Sequence, residues 1–122
     1  MPLIYEELTA KILEACFEVS NELGAGFVES VYHNTLLIAL LHKGLKADSQ
    51  SPFSVSFRNE VVGQFYADIL VDDKVVVELK AVSTLLPEHQ AQLINYLKAS
   101  GREVGLLVNS GKSKIEYRRL HK

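Results

Sequence analysis

The residues best placed to do chemistry lie around one strand. In Asp72-Asp73-Lys74-Val75-Val76-Val77-Glu78-Leu79-Lys80, a valine run that reads as a buried strand ends in an acid and a base two positions apart. Ionised side chains are rarely buried without partners, because desolvating them is expensive. Either this end of the strand reaches solvent, or the pair is held there for chemistry. Side chains two apart on a strand share a face, so Val76, Glu78 and Lys80 are expected on one side and Val75, Val77 and Leu79 on the other. Tyr66, Asp68 and Leu70 should likewise share a face of the preceding strand. Antiparallel pairing around a turn centred near Asp73 sets Asp68 opposite Glu78, with Cβ atoms roughly 4.5–5.5 Å apart. Two carboxylates so close repel unless something positive lies between them, which is either Lys80 or a divalent cation. Mg²⁺ and Mn²⁺ prefer oxygen ligands, and Mg²⁺ takes one or two carboxylates plus waters and substrate phosphate. On that reading Asp68 and Glu78 hold the metal, with the Leu79 carbonyl as a third ligand. Lys80 then stands beside the attacking water and the phosphate, where it stabilises developing charge. The plainer reading is an acid–lysine pair on an exposed strand end.

The next helix adds polar groups. His89, Gln92 and Tyr96 fall at i, i+3 and i+7, a polar-tipped stripe beside the core side formed by Leu93, Ile94 and Leu97. Packed on the sheet, that helix brings Gln92 and Tyr96 near Lys80, while His89 reads as an exposed first-turn residue.

These residues need a scaffold, and the pattern supplies one. Leu8, Ile12, Cys16, Val19 and Leu23 recur at three- and four-residue steps, predicting a helix over about 3–23 that ends at Gly24 and Gly26. A second helix is predicted from Val28 to Lys43, with Val31, Leu36, Leu37, Leu40 and Leu41 facing inward, stopping near Gly44. Period two then takes over: a strand through Phe53, Val55 and Phe57, a turn at Arg58-Asn59-Glu60, a long strand Val61–Val71, a turn at Asp72-Asp73-Lys74 and the strand Val75–Lys80. Pro87 opens a helix to about Ser100, closed by Gly101. Val104–Val108 is all apolar, as befits a strand covered on both faces, and a last strand spans Lys114–Leu120. The order predicts an α/β sandwich on a mixed sheet rather than a doubly wound nucleotide fold. Gly24-Ala25-Gly26 is not a dinucleotide loop, since no strand precedes it and the third glycine is missing.

Composition sets the outer limits. The 122 residues suit one domain over 1–122, and 48% hydrophobic with 23% charged residues is ordinary for a soluble globular chain. No apolar run approaches the roughly 18 residues of a membrane-spanning helix. The start, MPLIYEELTAKILEACFE, is acidic where a secretory leader is basic and then apolar, so a cytoplasmic protein without membrane association is expected. The single cysteine, Cys16, falls in the apolar stripe of the first helix and reads as inert packing. A net charge of −2 does not suggest a strong non-specific nucleic-acid binder. The tail holds Lys112, Lys114, Arg118, Arg119 and Lys122 against Glu116, and reads either as a phosphate contact or as a solvated edge strand.

Asp68 with Glu78-Leu79-Lys80, followed by Gln92-x-x-x-Tyr96, resembles the PD-(D/E)xK nuclease superfamily. Gly26-Phe27-Val28-Glu29-Ser30-Val31-Tyr32 resembles, more narrowly, the motif of the bacterial GxxExxY proteins within it. The resemblance runs from about Leu23 to Arg119, with Ala67 standing where the superfamily name has proline. It implies a restriction-endonuclease-like fold: a mixed central sheet, made of a three-strand meander plus one or two C-terminal strands, flanked by helices, two of them N-terminal. It also implies a Mg²⁺- or Mn²⁺-dependent nuclease acting on DNA or RNA. Asp68, Glu78, Glu29 and the Leu79 carbonyl become metal ligands, Lys80 the catalytic lysine, and Gln92, Tyr96 and Tyr32 groups that orient substrate. Read from the residues alone, Glu29 is a first-turn acid favoured by the helix dipole, and Tyr32, three residues on, shares its face and could donate to a carboxylate. A non-catalytic module that keeps the fold to bind nucleic acid or protein is the competing function. A homodimer, with Leu3, Ile4 and Tyr5 as a contact surface, is the assembly expected if two strands are cut.

Overall fold

The structure is a computed structural model, and it describes residues 3–122. Helix α1 runs Glu6–Leu23 and α2 Glu29–His42. Strands β1 (Ala47–Phe57), β2 (Glu60–Val71) and β3 (Val75–Lys80) follow, then α3 (Pro87–Ser100), β4 (Val104–Asn109) and β5 (Glu116–His121). The five strands form one sheet in chain order, β1-β2-β3-β4-β5. Only β3 and β4 are parallel, joined through α3; every other neighbouring pair is antiparallel. Element order and sheet type agree with the restriction-endonuclease-like reading.

The valine run explains the layering. Val75, Val77 and Leu79 pack under α1 and α2 with Ile12, Cys16 and Leu36. Val76 points the other way and packs with Leu93 and Leu97 of α3. Each fully buried Val or Leu contributes roughly 1.5–3 kcal/mol, and all of Val75, Val76, Val77, Leu106 and Leu107 are fully buried. Period-two sequence therefore becomes a central strand only because helices cover both faces. Among the described residues, no helix is long and apolar enough to cross a membrane.

Several boundaries differ from expectation. Helix α1 starts at Glu6 rather than near residue 3, since Tyr5 sits in a left-handed conformation (φ 56°) that ends the helix there; Leu3 and Ile4 are exposed. At its other end the Gly24 N–H, at φ 75°, closes onto the Ser20 carbonyl. Strand β1 is twice the expected length because its polar first half pairs with the buried end of β2. In α2, Leu41 is 60% exposed although it was expected inside. The helix is apolar nearly all round, so spacing alone did not define its buried line, which is Tyr32, Leu36 and Leu40. The turn acids are structural. Asp72 accepts from the Lys46 N–H at 2.9 Å, and Asp73 pairs with Arg102 at 2.7 Å.

Candidate functional site

The site begins where the sheet comes apart. Strands β2 and β3 pair at Val71–Val75, Leu70–Val76 and Ile69–Val77, the register expected from the turn, and the ladder stops there. At the next rung side chains replace main-chain bonds. The Asp68 N–H donates to Glu78 Oε1 at 3.2 Å, and the Leu79 N–H donates to Asp68 Oδ2 at 2.8 Å. On its other flank Asp68 has lost its partner too. The β1–β2 register skips from Ser49–Ile69 to Ser51–Ala67, and the omitted Gln50 is left-handed at φ 55°. Ladder bonds are thus missing on both sides of Asp68, and its carboxylate fills the opening.

This break also shifts the faces. Phe65 and Ala67 lie on the α3 side, Ile69 and Val71 on the α1–α2 side, and Leu70 on the α3 side again. Tyr66, Asp68 and Leu70 therefore do not share one face, as simple alternation predicted; the phase slips at Asp68.

Glu78 is 6% exposed. Its carboxyl is raised from the ordinary range to about 8, first by burial and then by the charge of Asp68, against the opposing pull of the Asp68 N–H and Lys80. Lys80 is not wedged between the acids. Its ammonium approaches Gln92 Oε1 at 3.5 Å, the outer limit of a hydrogen bond, and among the described residues it forms no salt bridge with either acid. Of the two candidates for the positive charge between the carboxylates, lysine is thus not in place. Leu79 turns its N–H toward β2, and because N–H and C=O of one strand residue point to the same edge, its carbonyl faces the opening as well. The neighbouring Lys80 carbonyl faces β4, where the Ser110 N–H holds it at 2.8 Å.

Glu29 stands across a cleft. With Ser30, His33, Asn34, Gln50 and Asp68 it lines a space of about 330 Å³. Burial, then the Asp68 charge, raises its carboxyl, while Lys80 and His33 pull it down. Yet among the described residues no three acids, histidines or cysteines come close enough to share a metal ion. The expected convergence of Glu29, Asp68 and Glu78 is therefore corrected to a close pair with Glu29 facing it. Tyr32 is corrected further. It is buried in the core, and its hydroxyl donates to the Gly24 carbonyl rather than to a carboxylate. Gln92 is exposed beside Lys80. Tyr96 stacks on Phe65 at 4.0 Å and 5°, and its phenol is raised by burial, then by Glu78 and Asp68. His89 uses Nδ1 to accept from the Leu86 N–H, capping α3.

Two groups escaped the sequence reading. His33 Nε2 lies 2.8 Å from Ser49 Oγ on the cleft wall; its spacing from Glu29 was visible but nothing distinguished it from a surface histidine. Fully buried Asn109 accepts from the N–H groups of Val82 and Gly111 and donates to the carbonyl of Val82 and the carboxylate of Glu116. Glu116 also accepts from the Leu85 N–H, and these bonds hold its carboxyl below the usual range, Asn109 first. The signal was available as a polar Asn109-Ser110-Gly111 directly after an all-apolar strand. Together these residues clamp the loop that leaves Lys80. Three of the five C-terminal cations are ion-paired, Lys112 and Arg118 with Glu116 and Lys122 with Glu103, and Arg119 donates to the Ile4 carbonyl.

Comparison with known proteins agrees with this geometry. Among solved structures, the crystal structure of SSO0001 superposes with a TM-score of 0.62 at 19% sequence identity, over 97% of this chain and 59% of that one. The chain thus spans about three-fifths of that protein's length, and at this identity the likeness concerns the fold alone. No curated protein matches the chain. The model of the PD-(D/E)XK nuclease superfamily matches residues 6–120. A sheet that opens at Asp68, with Glu78-x-Lys80 on the facing strand, is what that match leads one to look for, and the chain belongs to the PD-(D/E)XK nuclease superfamily.

Proposed function

We propose that this domain is a divalent-metal-dependent nuclease that hydrolyses phosphodiester bonds, and that within the superfamily it falls in the GxxExxY branch through Gly26, Glu29 and Tyr32. The observation that carries the reading is the side-chain rung between β2 and β3, which fixes buried Glu78 and half-buried Asp68 together, with Lys80 just beyond them. The donor set suits a hard cation. Asp68 and Glu78 supply oxygens, the Leu79 carbonyl faces the same opening, and burial with the Asp68 charge outweighs Lys80 in keeping Glu78 from ionising, an imbalance a bound cation would reverse. These three residues would hold Mg²⁺ or Mn²⁺, with Glu29 reaching it through solvent across the cleft. Such a cation supplies, when bound, an activated water and neutralisation of phosphate charge.

The chain's own residues do the remaining work. A water oxygen, losing a proton to solvent, bonds to phosphorus as the bond from phosphorus to the opposite sugar oxygen breaks and that oxygen takes a proton from solvent, while the Lys80 ammonium offsets the negative charge that accumulates on the phosphoryl oxygens. Gln92 holds that ammonium toward the helix, and the stacked Tyr96 fixes the wall behind it. The test is cleavage of single-stranded DNA, duplex DNA and RNA in Mg²⁺, Mn²⁺ or chelator, comparing wild type with Asp68→Ala and Lys80→Ala. Each substitution is expected to lower cleavage by about 100-fold or more; activity unchanged by either removes the assigned site.

The absence of a ready three-ligand cluster among the described residues favours the alternative, a non-catalytic module that binds nucleic acid or protein. Calorimetry with Mn²⁺ separates the two. A nuclease takes up the ion through Asp68 and Glu78, and a binding module needs no such uptake.

A further inference from the structure

The two sides of the acid pair offer different surfaces to a substrate. On the α2 side the cleft presents the two acids Glu29 and Asp68 beside Ser30, His33, Asn34 and Gln50, and the paired carboxyl groups disfavour a phosphate chain. On the α3 side, Tyr96, Asn95, Lys98, Ala99 and Val55 line a groove of about 460 Å³ between the helix and the β1–β2 hairpin. Lys98 is the one charged residue in its lining, so the groove carries a single positive charge and no acid. Tyr96 sits on a prebuilt aromatic column: it lies parallel to Phe65 at 4.0 Å, and Phe65 stacks on Phe53 at 5.4 Å and 24°. The ring is half-buried, with its uncovered part in the groove. One turn earlier on the same helix, Gln92 touches Lys80.

We propose that this groove binds single-stranded nucleic acid, with an unpaired base stacked on Tyr96 and a neighbouring phosphate held by Lys98, so that the strand leads into the Asp68–Glu78 site from the α3 side. The inference rests on the nuclease reading for what happens at the acids, but the binding it describes is independent of cleavage. A volume of about 460 Å³ is in the range of a site for one small organic group such as a nucleotide. Bases in a duplex have both faces occupied, so only an unpaired one can use the ring. A duplex also demands phosphate contacts along its length, and of the C-terminal cations Lys112, Arg118 and Lys122 are already paired with Glu116 and Glu103. Stacking is the interaction that lets a chain of net charge −2 grip a polyanion through few lysines.

The test measures binding apart from cleavage. In chelator, fluorescence anisotropy compares a 12-nucleotide oligothymidylate with a duplex of equal length, and a 2-aminopurine placed in the single strand reports stacking by its quenching. The wild type is expected to bind the single strand at least tenfold more tightly than the duplex. Tyr96→Leu should weaken single-strand binding by about 5- to 100-fold and abolish the quenching, whereas Tyr96→Phe retains both. Should Tyr96→Leu fail to fold, the surface change Lys98→Glu still decides: it is expected to weaken binding several-fold and to flatten the salt dependence by about one phosphate contact. Equal affinity for duplex, quenching that survives Tyr96→Leu, a Tyr96→Phe variant as weak as Tyr96→Leu, or an unaffected Lys98→Glu each overturns the proposal. Stacking without cleavage by any metal leaves this inference standing and removes the nuclease. Metal-dependent cleavage of duplex that ignores Tyr96 does the reverse.

Discussion

Replacing Glu78 by Gln should make the metal-free protein more stable, although it removes a group at the centre of the site. Glu78 is buried beside Asp68, and its carboxyl is raised to about 8 from an ordinary value of 4.5. In the unfolded chain the group ionises at the ordinary value, so between the two pH values the folded state carries one proton more. Stability therefore falls as pH climbs through this window and levels off above it. Every tenfold difference in proton affinity between the two states is worth about 1.4 kcal/mol, which puts the full penalty on the order of 5 kcal/mol. Asp68 shares the titration, and the proton loss belongs to the pair, so a difference of about 1–3 kcal/mol is the expected observation. Gln keeps the shape of Glu78 and an oxygen to accept from the Asp68 N–H, while removing the charge. In chelator at pH 9, Glu78→Gln should exceed wild type by that amount, or several degrees in melting temperature. At pH 4 the two should agree within about 0.5 kcal/mol, since the wild-type group is then protonated in the folded state and mostly protonated in the unfolded one. Urea denaturation at pH 4, 7 and 9 measures this directly. A variant less stable than wild type at pH 9, or a gap that does not change with pH, refutes the account of Glu78 as a strained, buried acid.

Other expectations concern the supports of the site. A Cβ at Gly111 would lie 2.2 Å from the Val82 carbonyl oxygen and 2.5 Å from its nitrogen, so Gly111→Ala must push the loop after Lys80 away; thermal melting should show a loss of roughly 1–3 kcal/mol, typical of overpacking. Tyr32→Phe removes the bond to the Gly24 carbonyl and should cost about 1 kcal/mol, with Mn²⁺ affinity by calorimetry unchanged, because the hydroxyl is turned away from the acids. Burial pushes the Cys16 thiol up to about 12, so the native protein should resist a thiol reagent at pH 8 and react fully only in denaturant.

How far the sequence could be read depended on whether an interaction is local. The turn at Asp72-Asp73 fixes the β2–β3 register, and simple arithmetic put Asp68 opposite Glu78. The two carboxylates do meet there, but through a rung of side chains in an opened ladder. The opening is set partly by Gln50, whose left-handed backbone no residue type announces, since glutamine is not a residue associated with φ above zero. The same break caused the error over faces: strict alternation placed Leu70 with Asp68, and the slip at one residue moved it to the α3 side. Tyr32 was misread because spacing along a helix says which residues are neighbours and not which of them faces the core. Glu29 and Tyr32 are three apart, yet one stands in the cleft and the other is buried under the sheet. Likewise the basic tail read either as a phosphate contact or as a solvated edge strand, since composition does not show that Lys122 meets Glu103 beside the β4–β5 pairing or that Arg118 turns to Glu116 two residues away.

The bond pattern around the rung explains why the acids can wait in position without a cation. Each uses one oxygen to satisfy a main-chain N–H that the opened ladder would have orphaned: Glu78 Oε1 serves Asp68, and Asp68 Oδ2 serves Leu79. Losing either bond would bury an unpaired donor, at about 1–3 kcal/mol, so both carboxylates are fixed in orientation. That leaves Glu78 Oε2 and Asp68 Oδ1 with no protein N–H bonded to them among the described residues. The raised Glu78 follows partly from its side-chain contact with Asp68, which is how two acids behave when one proton must serve both. A divalent cation can take the place of that proton without disturbing either main-chain bond, because an ionised carboxylate has lone pairs for both. Binding should therefore release about one proton at neutral pH. The acids are positioned by the fold, and their mutual repulsion is what a cation would relieve.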